Sequence, residues 1–297
     1  MKRTNLICVF IVTLLVSFTK GAPAIKPSFG KFIVFGDSIS DVKNYYKASN
    51  GLFPSNGYYD GRFSDGLLWC DWLSKFLNTT MKNYAFGGAG VDSDLIAPSQ
   101  MISLNFTFII PGIKQQVESF LVNTKINDDY TNTLFSLWSA GNDYLSLNFK
   151  LNPEIIVNSL SSSIQRLITT VGASYFLIMN MSDVRKSPRF NSKSDETKEL
   201  IHSTIIRHNE LLSSMVTNLS KDYNIQIYFI NTYEIFDRAM TKKGQGLLGI
   251  TNIVDACQPV PVISLPICDK YFWFENIHPT RVVHKAFADE IVNQNFT

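Results

Sequence analysis

The chain has 297 residues, of which 45% are hydrophobic and 18% charged, and its formal net charge is +2. This hydrophobic fraction argues against intrinsic disorder, and the small, scattered charge argues against nucleic-acid binding, which requires a basic stripe. The sequence has no Gly-X-Y, heptad or longer repeat that would indicate a fibre or a solenoid.

The N-terminal segment has the three parts of a secretory signal peptide. A basic start precedes an apolar run of 13 residues at 6–18, and small residues follow. A transmembrane helix needs about 20 apolar residues, so a membrane anchor is the less favoured alternative. We predict a signal peptide over residues 1–21, with cleavage between Gly21 and Ala24. The remaining chain, with 24 basic and 25 acidic side chains and no segment apolar enough to span a membrane, is predicted to be secreted.

Apolar runs alternate with helical patterns along the rest of the chain. Strands are predicted at residues 32–35, 82–86, 133–138, 175–179 and 225–230. Helices are predicted at residues 66–77, 113–122, 153–171, 197–219 and 282–292. This alternation is typical of a parallel sheet that is covered by helices on both faces. Because no composition break divides the chain, we predict a single α/β/α domain over residues 22–297.

Polar motifs stand where the first three predicted strands end. They are Gly-Asp-Ser at 36–38, Gly-Gly at 87–88 and Gly-Asn-Asp at 141–143. A fourth polar segment, Glu-Asn-Ile-His-Pro-Thr, occupies residues 275–280. Ligands of open α/β sheets bind beyond the carboxyl ends of the strands, so we expect these segments to meet there.

The residue types in these segments are those that acyl transfer requires. The hydroxyl of Ser38 is a weak nucleophile and needs a base, for which the imidazole of His278 is suited. A carboxylate such as Glu275 can orient that imidazole. The N–H groups of Ser38 and Gly88 and the side chain of Asn142 can donate to an oxyanion. Each residue also has a structural alternative, such as a helix cap or a turn, so the prediction depends on their occurrence together.

The remaining histidines give no such signal. His202, His208 and His284 lie within helical patterns, which favours roles in packing or at the surface.

The motifs resemble those of the GDSL esterases and lipases, also called SGNH hydrolases. The resemblance extends from residues 32–38 to 278–280 and includes the segments 61–66, 83–89 and 138–144. The pair His208-Asn209 in the longest predicted helix is also similar to a family feature. The Gly-X-Ser-X-Gly elbow of the α/β-hydrolases is absent from the sequence. The resemblance implies a flavodoxin-like, three-layer α/β/α sandwich with a central parallel sheet.

The resemblance also implies a role for each site residue. Ser38 is the nucleophile, Gly88 and Asn142 complete the oxyanion hole, and His278 is the base. The implied function is a secreted serine ester hydrolase, or esterase/lipase, that needs neither a metal nor a cofactor. Its substrate is a lipid acyl ester, lysophospholipids included, or an acetylated carbohydrate. An acyltransferase that uses the same site is the alternative enzyme.

Two positions depart from the family pattern. Glu275 stands where the family usually has aspartate, and Ala140 stands where the family tends to have glycine. Glu275 either completes a triad, or Ser38 and His278 act as a dyad with a backbone carbonyl in the third role. These departures also leave open a secreted binding protein that has lost turnover.

Four aromatic residues near the motif loops have two interpretations. They either line an acyl pocket or a sugar platform, or they pack in the core. They are Phe53, Tyr58, Tyr59 and Phe106.

The cysteines and the glycosylation sequons fit an oxidising compartment. Cys257 and Cys268 close a short loop and form the expected disulfide, which leaves Cys70 free. Candidate N-glycosylation acceptors are Asn78, Asn105, Asn218 and Asn295. A fifth sequon, at Asn180, follows an apolar run that resembles a strand, and a buried position is the alternative there.

Overall fold

The structure, a computed structural model, describes residues 28–54, 57–95, 101–103, 106–125, 127–138, 141–258 and 268–296. The predicted signal peptide and its cleavage site, together with Asn105 and Ala140, lie outside these residues. The strands are β1 (Lys31–Gly36), β2 (Thr80–Asn83), β3 (Met101–Ser103), β4 (Phe106–Phe108), β5 (Thr133–Trp138), β6 (Tyr175–Met179), β7 (Gln226–Ile230), β8 (Asn252–Ala256) and β9 (Tyr271–Trp273).

The helices vary in length from one turn to eight turns. They are α1 (Asn44–Ala48), α2 (Trp69–Leu77), α3 (Ile113–Val122), α4 (Asn142–Ser146), α5 (Pro153–Val171), α6 (Asp195–Tyr223), α7 (Thr232–Met240), α8 (Lys242–Leu248) and α9 (Arg281–Asn295). Two 3₁₀ turns, Val184–Lys186 and Pro188–Phe190, lie between β6 and α6. Within the described ranges, none of these helices combines the length and the apolarity that a bilayer span requires.

Five strands form a central sheet in the order β2-β1-β5-β6-β7, and all of its neighbouring pairs are parallel. β1 therefore lies between β2 and β5, with Phe32 opposite Met81 on one side and Leu134 on the other. Two small sheets, β3-β4 and β8-β9, lie outside it. The predicted central parallel sheet is confirmed.

Alternate residues of the strands divide the core into two layers. Ile33 and Phe35 of β1 lie on the face that packs against α3, α5 and α6. Phe32 and Val34 lie on the opposite face, which packs against α2, α7 and α9. All four side chains are buried, as expected for a strand covered on both faces. The three-layer α/β/α architecture is therefore as predicted.

The bounds of α3, β5, α5 and β6 agree with the prediction, and β1, β7, α6 and α9 differ from it by one to four residues at an end. Two further elements differ for a reason that their hydrogen bonds show. The helix predicted from residue 66 begins at Trp69, because the carboxylate of Asp71 accepts a hydrogen bond from the N–H of Leu68 at 2.9 Å and so caps the helix there. The strand predicted at 82–86 ends at Asn83, whose side-chain oxygen accepts from the N–H of Ala85 and turns the chain.

The cysteines are paired as predicted. A disulfide joins Cys257, just after β8, to Cys268, just before β9, and Cys70 is a buried free thiol. This covalent bond connects the two strands of the β8-β9 sheet, and the segment with Glu275 and His278 follows β9 directly.

The sequons differ in their accessibility. Asn78 and Asn218 are exposed and Asn295 is half-buried. Asn180 is buried, and its side chain donates to Asn231 and accepts from the N–H of Tyr233. Those contacts hold the chain just after β6. The buried position, which was the alternative for the Asn180 sequon, is therefore the one observed.

Candidate active site

Ser38 lies just beyond the carboxyl end of β1, between the neighbouring strands of the sheet. The side chain of Gln116 in α3 accepts from the N–H of Gly36 at 2.9 Å and donates to its carbonyl at 2.8 Å, so the end of the strand is fixed. The carboxylate of Asp37 then accepts from the N–H of Ile39 at 3.1 Å. Residues 37–40 therefore form a turn and do not begin a helix. Ser38, with 8% of its surface exposed, lines a cavity.

His278 reaches Ser38 from the segment that follows β9. The imidazole Nε2 lies 2.7 Å from Ser38 Oγ. On the other side of the ring, Nδ1 is hydrogen-bonded to the carboxylate of Glu275, which also accepts from the backbone N–H of His278 at 3.0 Å. The longer glutamate side chain therefore folds back over three residues to meet both groups. A continuous hydrogen-bonded chain connects carboxylate, imidazole and hydroxyl.

The charge of Glu275 determines the direction of these hydrogen bonds. Burial of its side chain, 5% exposed, raises the pKa, but the attraction of His278 and the hydrogen bonds from its ring and backbone outweigh burial and hold the pKa of Glu275 below its ordinary value. An ionised carboxylate only accepts hydrogen bonds, so Nδ1 carries the proton of the neutral imidazole. Nε2 is then free to accept from the hydroxyl of Ser38.

Gly88 and Asn142 line the same cavity as these three residues. Gly88 has φ +77°, a left-handed conformation that favours glycine. Asn142 is the first residue of α4, and its Nδ2 donates to the carbonyl of Ala89 at 3.0 Å. The structure thus brings together all five residues that the sequence predicted for the site.

Two buried aspartates that the sequence did not predict as site residues hold the segment 87–91. Asp41 accepts hydrogen bonds from the N–H groups of Asn44, Tyr45 and Gly87. Burial nevertheless raises the pKa of Asp41 to about 6. Asp143, next to Asn142, accepts from the N–H of Val91. The N-cap of α1 is Lys43 and not Asp41, so no capping motif marks Asp41 in the sequence.

The His208-Asn209 pair in α6 contacts two segments that border the site. His208 is buried, and its Nδ1 lies 2.7 Å from the hydroxyl of Tyr144 in α4. Asn209 accepts from the N–H of Met181 and donates to its carbonyl, both at 2.9 Å. Helix α6 therefore holds α4, which begins with Asn142, and the segment after β6. The packing role expected of His208 agrees with these contacts.

The cavity has a volume of about 390 Å³ and walls of two kinds. We call one the aromatic wall, which consists of Tyr45, Phe53, Tyr58 and Phe63. We call the other the polar wall, which consists of Ser182, Ser187, Arg189 and Asn276. For four aromatic residues the sequence left open whether they line a pocket or pack in the core. Of these, Phe53 and Tyr58 line this cavity. Tyr59 does not, and the side chain of Phe106 lies outside the described residues.

Residues 32–291 match the model of the family described as GDSL-like Lipase/Acylhydrolase. The chain therefore belongs to this family, the class that the α/β/α fold and the Ser38–His278 geometry define. The match covers most of the chain and includes every residue of the candidate site.

Two curated proteins illustrate the relationship. The chain is 26% identical over 284 residues to the thermolabile hemolysin of Vibrio parahaemolyticus, covering 89% of this chain. It is 28% identical over 222 residues to the phosphatidylcholine-sterol acyltransferase of Aeromonas hydrophila, covering 73% of this chain. The chain spans 63% of the length of each relative, which is less than two thirds.

A solved structure shares the fold. Axe2, an acetylxylan esterase from Geobacillus stearothermophilus, superimposes with a TM-score of 0.51 and 13% sequence identity, covering 92% of this chain and 97% of that chain. At this identity the likeness concerns the arrangement of sheet and helices alone.

Proposed function

We propose that this protein hydrolyses carboxylic esters through an acyl-enzyme on Ser38. The observation that carries the proposal is the hydrogen-bonded chain from Glu275 through His278 to Ser38, with Nε2 positioned 2.7 Å from Oγ. A neutral imidazole at that distance is a general base for the hydroxyl. Membership of the GDSL-like family supports the same conclusion.

In the acylation step, Ser38 Oγ forms a bond to the ester carbonyl carbon while its proton moves to His278 Nε2. The carbonyl oxygen becomes an oxyanion, for which the N–H groups of Ser38 and Gly88 and the side chain of Asn142 are the candidate donors. When the intermediate collapses, the bond to the alcohol oxygen breaks and Nε2 returns the proton to that oxygen. Glu275 stabilises the imidazolium in between.

In the second step, a water molecule replaces the alcohol. His278 Nε2 takes a proton from the water as its oxygen bonds to the acyl carbon. The second tetrahedral intermediate then releases the acid, and the proton returns to Ser38 Oγ. The same groups serve in both steps, because deacylation is the reverse of acylation with water in the place of the alcohol and with Ser38 Oγ as the leaving group.

Hydrolysis of p-nitrophenyl butyrate tests the proposal. Ser38→Ala should lose at least about 10³-fold in kcat, because the nucleophile is removed. Ser203→Ala is the matched control, since Ser203 is exposed on α6 and its hydroxyl donates only to the carbonyl of Leu200. A fluorophosphonate probe should label the wild type and not Ser38→Ala. Undiminished hydrolysis by Ser38→Ala would refute the proposal, and absence of labelling in the wild type would favour a binding protein that has lost turnover.

Acyl transfer to an alcohol is the second candidate activity. The relative from Aeromonas hydrophila is named for transfer to a sterol, and the acyl-enzyme proposed here accepts either water or an alcohol. Product analysis in the presence of a competing alcohol separates the two: an ester product that exceeds the free acid indicates a transferase, whereas free acid alone indicates a hydrolase.

We also propose that the protein is secreted and N-glycosylated. The predicted signal peptide and the Cys257–Cys268 disulfide support an oxidising compartment. The exposed sequons at Asn78 and Asn218 are the favoured glycosylation sites. Expression with a secretory pathway and mass spectrometry of the product would reveal the mature N-terminus and the occupied asparagines.

A further inference from the structure

The polar wall of the cavity contains a cation that has no carboxylate partner among the described residues. Three basic residues lie close together after β6, and two of them are paired: Arg185 with Asp183 through two hydrogen bonds, and Lys186 with Asp237 at 2.6 Å. The third, Arg189, makes no side-chain hydrogen bond or ion pair within the described part of the chain. It is also the member of the three that lines the cavity.

The backbone of Arg189 is held firmly, although its side chain is exposed. Its N–H donates to the carbonyl of Asn276 at 2.8 Å, which fixes it to the segment with Glu275 and His278. The next residue, Phe190, is buried against Phe149 with ring centroids 5.9 Å apart. The guanidinium is therefore carried by a turn that is anchored to the segment with Glu275 and His278.

Ser187 provides a second polar group on the same wall. It is fully buried, and its hydroxyl lacks a hydrogen-bond partner among the residues that the structure describes. A buried hydroxyl without a partner is costly, and a ligand oxygen would satisfy it. The two carboxylates that line the cavity already accept hydrogen bonds within the protein: Glu275 from His278, and Asp37 from Ile39 and Asn142.

We infer that Arg189, with Ser187 beside it, binds an anionic group on the alcohol part of the ester, and that the preferred substrates are acyl esters of phosphate-bearing alcohols. This inference rests on the ester hydrolysis proposed above. The aromatic wall suits the apolar acyl chain, which leaves the polar wall for the alcohol. A planar guanidinium donates two parallel hydrogen bonds to a phosphate. A neutral acetylated carbohydrate offers no charge to this residue.

Two soluble esters with the same acyl group isolate the contribution of the phosphate. They are 1-butanoylglycerol and 1-butanoylglycerol 3-phosphate. The wild type should prefer the phosphate ester by about tenfold in kcat/KM, the size expected for one charge-assisted contact at a partly exposed site. Arg189→Gln should abolish this preference and leave hydrolysis of the neutral ester within about twofold. Lys186→Gln, the matched control, should keep the preference, since Lys186 does not line the cavity.

Binding without turnover provides an independent measurement. The phosphate ester should bind about tenfold more weakly to Ser38→Ala/Arg189→Gln than to Ser38→Ala in calorimetry. Equal binding to both variants, an equal loss on both esters in Arg189→Gln, or a wild type that prefers the neutral ester would overturn the inference. Inorganic phosphate that binds as tightly as the phosphate ester would also overturn it, because the site would then recognise the free anion. If the wild type hydrolyses neither of these esters nor p-nitrophenyl butyrate, the proposed ester hydrolysis fails, and the binding comparison still decides the role of Arg189.

Discussion

Asp41 and Gly87 are joined by a hydrogen bond of 2.8 Å from the backbone N–H of Gly87 to the carboxylate of Asp41. The bond connects the segment after β1, which carries Ser38, to the segment after β2, which carries Gly88. The buried carboxylate of Asp41 therefore helps to fix the relative position of the candidate nucleophile and this oxyanion donor, together with the hydrogen bonds from Asn83 to Ser40 and from Asn44 to Ala85.

Replacing Asp41 tests this connection. Asp41→Asn exchanges an acceptor oxygen for an NH₂ group, so at least one of the three N–H groups loses its partner. We expect the free energy of unfolding to fall by about 1–3 kcal/mol, as measured by urea denaturation, with a reduced kcat. Asp222→Asn, at an exposed position in α6, is the control and should stay within about 0.5 kcal/mol of the wild type. A wild-type stability for Asp41→Asn would show that the carboxylate is dispensable.

His278 and Glu275 should differ in their importance. His278→Ala removes the proposed base and should lower kcat by about 10³-fold or more. Glu275→Ala leaves that base but removes the carboxylate proposed to fix its tautomer, and should cost roughly ten to a hundred times less than His278→Ala. His202→Ala, in α6, is the control. Equal and near-complete losses at both positions would indicate an obligatory triad, whereas an unaffected Glu275→Ala would indicate a dyad.

Asn142→Ala separates catalysis from binding. A donor that acts on the oxyanion contributes only when charge develops, so we expect kcat to fall by about 10²–10³-fold with little change in KM. The exposed Asn158 of α5 provides the control, Asn158→Ala. If Asn142→Ala instead raised KM at constant kcat, the side chain would bind the ground state and would not be an oxyanion donor.

Two buried histidines make the stability depend on pH. Burial lowers the pKa of His208 to about 4 and that of His284 to about 3. Between pH 6.5 and about 4 the unfolded chain binds protons at these positions that the folded chain does not, so the free energy of unfolding falls as the pH falls. His208→Gln should reduce this slope by about 1 kcal/mol per pH unit in urea denaturation at several pH values.

Tyr144→Phe is the control for that slope. It removes the hydrogen bond to His208 but leaves the imidazole in place. We expect a lower stability at every pH with the wild-type slope. A His208→Gln variant with the wild-type slope would mean that the acid sensitivity has another origin.

The elements that the sequence predicted well are those with a continuous apolar pattern. β5 and β6 are buried on both faces, and α5 begins with proline after a capping asparagine, so local sequence sets their bounds. The short helices α1 and α4 were not predicted. Helices of five residues are not stable on their own, and α4 depends on contacts with the distant His208.

The residues that line the candidate site also differ in how well the sequence predicts them. Ser38, Gly88, Asn142 and His278 belong to segments whose chemistry and order are visible in the sequence. Arg189 has no such motif, because its relation to the cavity comes from a hydrogen bond to the distant Asn276. Sequence alone does not reveal which of several basic residues lacks a carboxylate partner.

The separation of Ser38 and His278 along the chain, 240 positions, has a consequence for biosynthesis. Ser38 is translated 240 residues before the imidazole to which it is hydrogen-bonded. A nascent or prematurely terminated chain therefore contains the hydroxyl without its base. The hydrogen-bonded chain of Glu275, His278 and Ser38 therefore forms only after residue 278 has been translated.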